Sequence, residues 1–292
     1  MLRPFVLCIS LAVTMTEAQS NPLEVEVLRT GEGSLYANYA LIKGAKRAVL
    51  VDAPWTRADA HRLVAMILDS GRELETVFIT HDHPDHFFSM EVITEAFPNA
   101  RVVAHPTVVA DIWRSLPFKV KRWYPVLGAN APKRPTAPLP LAGDTIDLEG
   151  QELKVLGPFQ GDHAHSTALW APSIKALFPG DLVFHEVFLW MGEHDSTAIE
   201  AWGRSLDRLA ELQPKMVVAG HSRAGLPFDA SALDYSRGYI AKWPTLVASS
   251  RDSTELMARV RKVFPDSTDV LGDFLLGNSA RVAMGEEPAW QE

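Results

Sequence analysis

Short apolar strands alternating with amphipathic helices predict an α/β protein, a sandwich of sheets covered by helices. Two observations carry that expectation. Apolar runs recur through the chain and end at glycine, proline or aspartate, and two pairs of them read as hairpins. The stretches between them show helical spacing, twice behind a capping box.

In chain order, residues 23–28, 35–42 and 48–51 read as strands, with a turn at Lys43-Gly44. Thr56 and Asp59 form a capping box for a helix with Leu63, Met66 and Ile67 on one face. Residues 76–80 are the next strand. A helix bearing Met90, Ile93 and Phe97 follows and ends at Pro98-Asn99, before a short strand at 101–104. Residues 116–141 contain Pro117, Pro125, Pro132, Pro135, Pro138 and Pro140, so a long irregular loop is expected, although Trp123 and Tyr124 do not suit a purely solvated one. Ile146 and Leu148 alternate against Leu153 and Val155 across Glu149-Gly150, and residues 167–170 and 176–178 flank Pro172-Ser173 as a second hairpin. Thr197 with Glu200 opens a helix carrying Ile199, Trp202, Leu206 and Leu209. Residues 215–219 are the last clear strand, and the chain beyond Asp229 reads as mostly helical.

At 292 residues and a formal charge of −8, the chain is long enough to bury a large core, and residues 19–292 are expected to form one domain. Its basic residues are scattered. The one concentration, Lys119, Lys121, Arg122, Lys133 and Arg134, is interrupted by prolines, so no nucleic-acid surface is expected. Residues 1–18 read as a secretory signal: a basic start at Arg3, an apolar run at 5–13 and a small residue, Ala18, before Gln19. A secreted or periplasmic protein follows from that reading. The apolar run is too short to span a bilayer, and no stable membrane insertion is expected. Cys8, the only cysteine, lies inside this segment, so the mature chain would carry no thiol and no disulfide.

The chemistry concentrates at residues 80–87, T-H-D-H-P-D-H-F, directly after an apolar strand. A turn at a strand end can aim His81 and His83 at one metal ion and Asp85 and His86 at a neighbouring one. Imidazole with carboxylate is a ligand set for zinc, manganese or iron. Three later features also sit at strand ends: Gly161-Asp162-His163-Ala164-His165-Ser166, Pro179-Gly180-Asp181 and Ala219-Gly220-His221. Each sets a ligand-capable side chain near a glycine that permits close backbone approach. Asp181 is the candidate for a carboxylate shared by two ions. Asp52, closing the strand at 48–51, is expected near the site, orienting a ligand. Phe184, Phe188, Trp190 and Met191 are candidate walls of an apolar pocket.

This series, His81-Asp82-His83-Pro84-Asp85-His86, a later histidine, Gly180-Asp181 and Gly220-His221, resembles the metallo-β-lactamase-fold hydrolases from about Leu23 to His221. The resemblance implies a four-layer αβ/βα sandwich with metals at one edge of two sheets. It implies that His81 and His83 hold the first metal with a third histidine, and that Asp85, His86 and His221 hold the second, with Asp181 bridging. His165-Ser166 matches the family pattern of a Ser or Thr after the third histidine, and His163 is the alternative. Two divalent ions, zinc foremost with manganese or iron as options, would activate a water as nucleophile against a small-molecule carbonyl substrate. Asp85 would help orient that nucleophile and move its proton. The bond cleaved would be an ester, lactone, thioester or amide, a β-lactam included. Asp181 stands where the commonest class of true β-lactamases has cysteine, which resembles lactonases and glyoxalase-II-like thioesterases instead. A second reading is a sulfur-oxygenating enzyme of the same fold, with one iron held by two histidines and an aspartate.

Overall fold

The computed structural model describes residues 22–290, and the expected signal segment at 1–18 with Cys8 lies outside them. One sheet runs in spatial order through β1 (Glu24–Arg29), β2 (Asn38–Lys43), β3 (Arg47–Val51), β4 (Glu73–Ile79), β5 (Arg101–Ala104) and β6 (Leu139–Pro140). Its first three strands are antiparallel neighbours, and β3 to β6 run parallel. The second sheet has β7 (Thr145–Leu148), β8 (Gln151–Phe159), β9 (Ser166–Ala171), β10 (Ala176–His185) and β11 (Met216–Ser222) in that spatial order, antiparallel except for the parallel pair of β10 and β11.

Strand alternation builds the layers. Val49, Val51, Phe78, Leu169, Phe178 and Val218 belong to one buried cluster between the sheets, while their neighbours Leu50, Val77, Ile79, Leu177 and Val217 belong to another, under the helices. The first sheet is covered by α1 (Arg57–Asp69), α2 (Met90–Ala96) and α3 (Pro106–Leu127), and the second by α4 (Ser196–Glu211) and α5 (Ser231–Ala248). The result is the expected four-layer αβ/βα sandwich. Each fully buried aliphatic side chain contributes about 1.5–3 kcal/mol to holding it together. Two further helices, α6 (Ser253–Val263) and α7 (Phe274–Ala283), follow as the expected helical tail.

Local signals explain most boundaries. Thr56 caps α1 by accepting from the Asp59 N–H at 3.1 Å. The hairpin of β7 and β8 turns on Glu149 (φ 56°) and Gly150 (φ 81°), two left-handed residues that suit right-twisted strands. Two expectations need correction. Helix α4 starts one residue after Asp195, whose carboxylate accepts from the Ala198 N–H at 2.8 Å, so Thr197 lies inside the helix rather than capping it. The loop expected at 116–141 is helical as far as Leu127. Val108, Ile112, Leu116, Trp123 and Leu127 recur at helical spacing and are buried, and that burial outweighs the backbone hydrogen bonds lost at Pro117 and Pro125.

Candidate metal centre

Every candidate ligand lies at the same end of the two sheets. Just past β4, Thr80 ties the sheets together: its carbonyl accepts from the Thr167 N–H (2.9 Å) and hydroxyl (2.6 Å). Asp52 follows β3 in a left-handed conformation (φ 64°). Its carboxylate accepts from the Thr80 N–H and hydroxyl at 2.8 and 2.9 Å and lies 2.8 Å from His86 Nδ1. That contact fixes the His86 ring and turns Nε2 inward. His221 is fixed similarly, its Nδ1 donating to the Leu35 carbonyl at 2.7 Å while Phe184 stacks on the ring.

Asp181 reaches the site because the β10–β11 register breaks on both sides of Gly180, an irregularity that re-aims the side chain. Two glycines make the approach feasible. Gly180 has φ 52°, and a Cβ there would lie 2.5 Å from Thr80 Oγ1. A Cβ on Gly220 would lie 1.8 Å from Asp181 Oδ1.

Four candidate clusters result among the described residues, and two of them contain Asp181. The first joins His81, His83, Asp162 and Asp181, and the second joins Asp85, His86, Asp181 and His221. All of these residues are buried. In the first, His83 Nδ1 is 2.9 Å from Asp162 Oδ2, and His81 Nε2 is 3.6 Å from Asp181 Oδ2. In the second, His86 Nε2 is 3.1 Å from Asp181 Oδ1, and His221 Nε2 lies 2.9 Å from Asp181 Oδ2 and 3.3 Å from Asp85 Oδ2. Yet His81 Nε2, both Asp162 oxygens and Asp181 Oδ1 have no hydrogen-bond partner. Buried polar atoms that crowd together off their hydrogen-bonding directions are expected where they converge on a cation. The donor set of imidazoles and carboxylates fits such ions.

The third histidine expected with His81 and His83 does not join them at Asp181; His163 groups with Asp82 and His83, and both His163 and His165 group with Asp111. His165 is directed instead to Asp111 on α3, its Nδ1 2.6 Å from Oδ2, and its side chain is 41% exposed. His163 lies 3.3 Å from Asp82 and 3.4 Å from Asp111 and enters neither Asp181 cluster. The turn decides this. The Gly161 N–H donates to the His163 carbonyl, and His194 Nε2 donates to the Gly161 carbonyl at 2.7 Å, so Asp162 is the residue turned inward.

With this geometry in place, the comparison with known proteins is direct. The profile of the Metallo-beta-lactamase superfamily matches residues 33–221. The chain belongs to the metallo-beta-lactamase superfamily. It is 22% identical over 245 residues to a metallo-beta-lactamase type 2 of Pseudomonas aeruginosa, covering 78% of this chain and 89% of that protein. Among solved structures, DIM-1 metallo-beta-lactamase superposes with a TM-score of 0.56 at 22% identity, covering 77% of this chain and 99% of that one. A metallo-beta-lactamase family protein from Thermus thermophilus gives 0.63 at 23% identity, covering 90% and 91%. At these identities the superpositions establish the fold that this superfamily member shares with them.

The electrostatics of the superfamily site are set by burial against mutual compensation. Burial alone would raise Asp85, but His86 and His221 bring it down to about 2, and Asp181 is held well below the usual range by His221, His86 and His81. Burial would depress His221, yet Asp181 and Asp85 lift it to about 10. Asp162 is pushed up to about 7 by burial, with nearby Asp181 adding to the rise against the pull of His83. Burial, with help from His86, takes His81 down to about 4, leaving a neutral imidazole with a free lone pair at physiological pH.

Further participants carry no motif. Glu193 meets His83 Nε2 at 3.3 Å and His163 Nδ1 at 3.5 Å and accepts from Trp190 Nε1 at 2.9 Å. Asp82 points away from the centre to Lys119, buried on α3, with Nζ 3.0 Å from Oδ2. Above the clusters opens a small cavity that both of them line. Of the expected apolar walls, Phe184 and Trp190 line it, whereas Phe188 and Met191 do not.

Proposed function

We propose that this chain is a hydrolase requiring two divalent metal ions, zinc foremost, and cleaving an ester, lactone, thioester or amide bond of a small molecule. The observation that supports it most is the pair of four-residue clusters sharing Asp181, each furnished with imidazole and carboxylate. His81, His83 and Asp162 would hold one ion, Asp85, His86 and His221 the other, and Asp181 both. Bound as a pair, such ions supply a nucleophile at neutral pH and polarise a carbonyl. Asp85 contributes an ionised carboxylate, and its backbone carbonyl accepts from the Tyr39 hydroxyl at 2.8 Å. Such a carboxylate would orient a nucleophilic water and take its proton. Asp52 keeps the His86 ring from rotating.

One observation favours a second reading. His81, His83 and Asp162 form a two-histidine, one-carboxylate set, the arrangement of non-haem iron oxygenases. The second cluster is as complete as the first, which weighs toward two ions. Elemental analysis of purified protein, run beside a panel of aryl esters, lactones, thioesters and a chromogenic β-lactam, separates the readings. Two zinc equivalents with turnover of one panel member are expected. A single iron, oxygen uptake with a sulfur compound and an untouched panel would exclude the hydrolase.

A further inference from the structure

The cavity above the clusters has an unusual lining. Its walls are Trp55, Trp123, Trp190, Phe274 and Trp290. These rings form a continuous surface. Trp55 meets Trp123 edge-on at 5.4 Å, Trp123 meets Phe274 at 5.6 Å, Phe274 stacks on Trp190 at 5.4 Å, and Trp290 stands edge-on to Trp190 at 5.0 Å. No lysine or arginine is among the described lining residues. The carboxylates that line or floor the cavity are Asp85, Asp162, Asp181 and Glu193. Two divalent ions would do no more than balance those four, leaving no surplus positive charge for a substrate anion.

We propose that this site selects an uncharged carbonyl compound bearing a flat aromatic group, and rejects substrates that carry a carboxylate into the cavity, β-lactam antibiotics among them. The inference rests on the hydrolase reading above for its chemistry, and on the cavity alone for its selectivity. An aromatic guest gains offset and edge contacts with the wall, while a carboxylate entering it loses its water and meets no lysine or arginine in the lining. Part of the wall lies outside the matched superfamily segment, because Phe274 and Trp290 follow residue 221. The backbone tie from the Trp290 N–H to the Gly192 carbonyl, 3.0 Å, holds the last wall in place, and Arg122 covers the Trp290 ring at 3.6 Å.

The test uses the metal-loaded protein with phenyl acetate and 4-acetoxybenzoate, which differ by one remote carboxylate. kcat/KM should favour the neutral ester by at least about tenfold. Calorimetry should likewise show 2-naphthalenemethanol binding more tightly than 2-naphthalenesulfonate, whether or not any ester is cleaved. Trp290→Ala should raise KM for phenyl acetate with a smaller change in kcat, and Trp290→Phe should restore most of it. Equal turnover of the two esters would overturn the selectivity and leave the hydrolase standing. No ester turnover with preferential binding of the neutral naphthalene would do the reverse. Neither turnover nor preference, or a KM indifferent to Trp290→Ala, would remove the aromatic site itself.

Discussion

At Asp162 a carboxylate stands beside His81 and His83 where the motif suggested a third imidazole, and the difference matters chemically. A carboxylate adds negative charge to a cluster that already contains Asp181, which strengthens its demand for a cation; burial, with Asp181 adding to it, raises Asp162 to about 7. Replacing that charge without changing shape, Asp162→Asn, should cost about one metal equivalent and at least about 100-fold in kcat/KM, the scale associated with disturbing a metal site. His165→Ala, at a half-exposed ring on Asp111, should leave metal content unaltered and activity within about twofold. Metal analysis of both variants decides the matter, and the reverse pattern would return the third ligand to histidine. The residues after β4 were legible because the whole motif T-H-D-H-P-D-H-F follows one strand. The turn at 161–166 was not, since three of its side chains are competent ligands and only the contacts of Gly161 and His194 select among them. Glu193 was illegible for a similar reason: its partners His83 and His163 are distant in sequence and follow no spacing rule.

Elements explain what the motif needs around it. Helix α3 was hidden by its prolines, because a composition rule was set against burial that only tertiary contact reveals. Its buried face carries Lys119, which donates to the Asp82 backbone carbonyl and pairs with the Asp82 carboxylate, bracing the residue between His81 and His83. Burial would raise Asp82, but Lys119, followed by His163 and His83, holds it below the ordinary carboxylate range. A carboxylate with a depressed folded pKa contributes stability above its unfolded value of about 3.9 and loses it as pH falls through the folded one. Lys119→Met should therefore cost about 3–5 kcal/mol near neutrality, where Asp82 would be left charged with only His163 and His83 to offset it. The gap from wild type, measured by denaturant unfolding, should narrow below about pH 4 as that charge is titrated away. A constant gap across the range would show that Lys119 acts through packing alone. The parallel pair of β10 and β11 is the second supporting element. Gly220→Ala would drive a methyl into Asp181 Oδ1 and into the Gly180 backbone carbon 2.7 Å away. Separating the strands should cost about 1–3 kcal/mol or more and displace the shared carboxylate. Thermal melting and metal content should fall together, and an unchanged melting temperature would mean that the strands tolerate the gap.

Over the whole molecule, the two clusters straddle the sandwich. His81, His83, Asp85 and His86 follow a strand of the first sheet, whereas Asp162, Asp181 and His221 lie on or beside strands of the second. The layers themselves were legible, because alternating strands and periodic helices declare their faces locally. That the helical tail returns to wall the cavity was not, since Phe274 and Trp290 meet Trp123 and Trp190 only through long-range folding. Cations held between the sheets would act as cross-links, and they would also relieve the crowding of Asp85, Asp162 and Asp181. Unfolding disperses both ligand sets, so binding free energy becomes folding free energy. With free metal at about 1,000 times its dissociation constant, one site adds about 4 kcal/mol, or about 6–7 °C in a chain of this size. Chelation of the loaded protein should lower the melting temperature by that much or more, and restoring zinc should recover it. Asp162→Asn should shrink the response and Gly220→Ala should nearly abolish it, whereas His165→Ala should keep it whole. A chelated protein that melts with the loaded one would mean that neither cluster binds ions tightly enough to join the sheets.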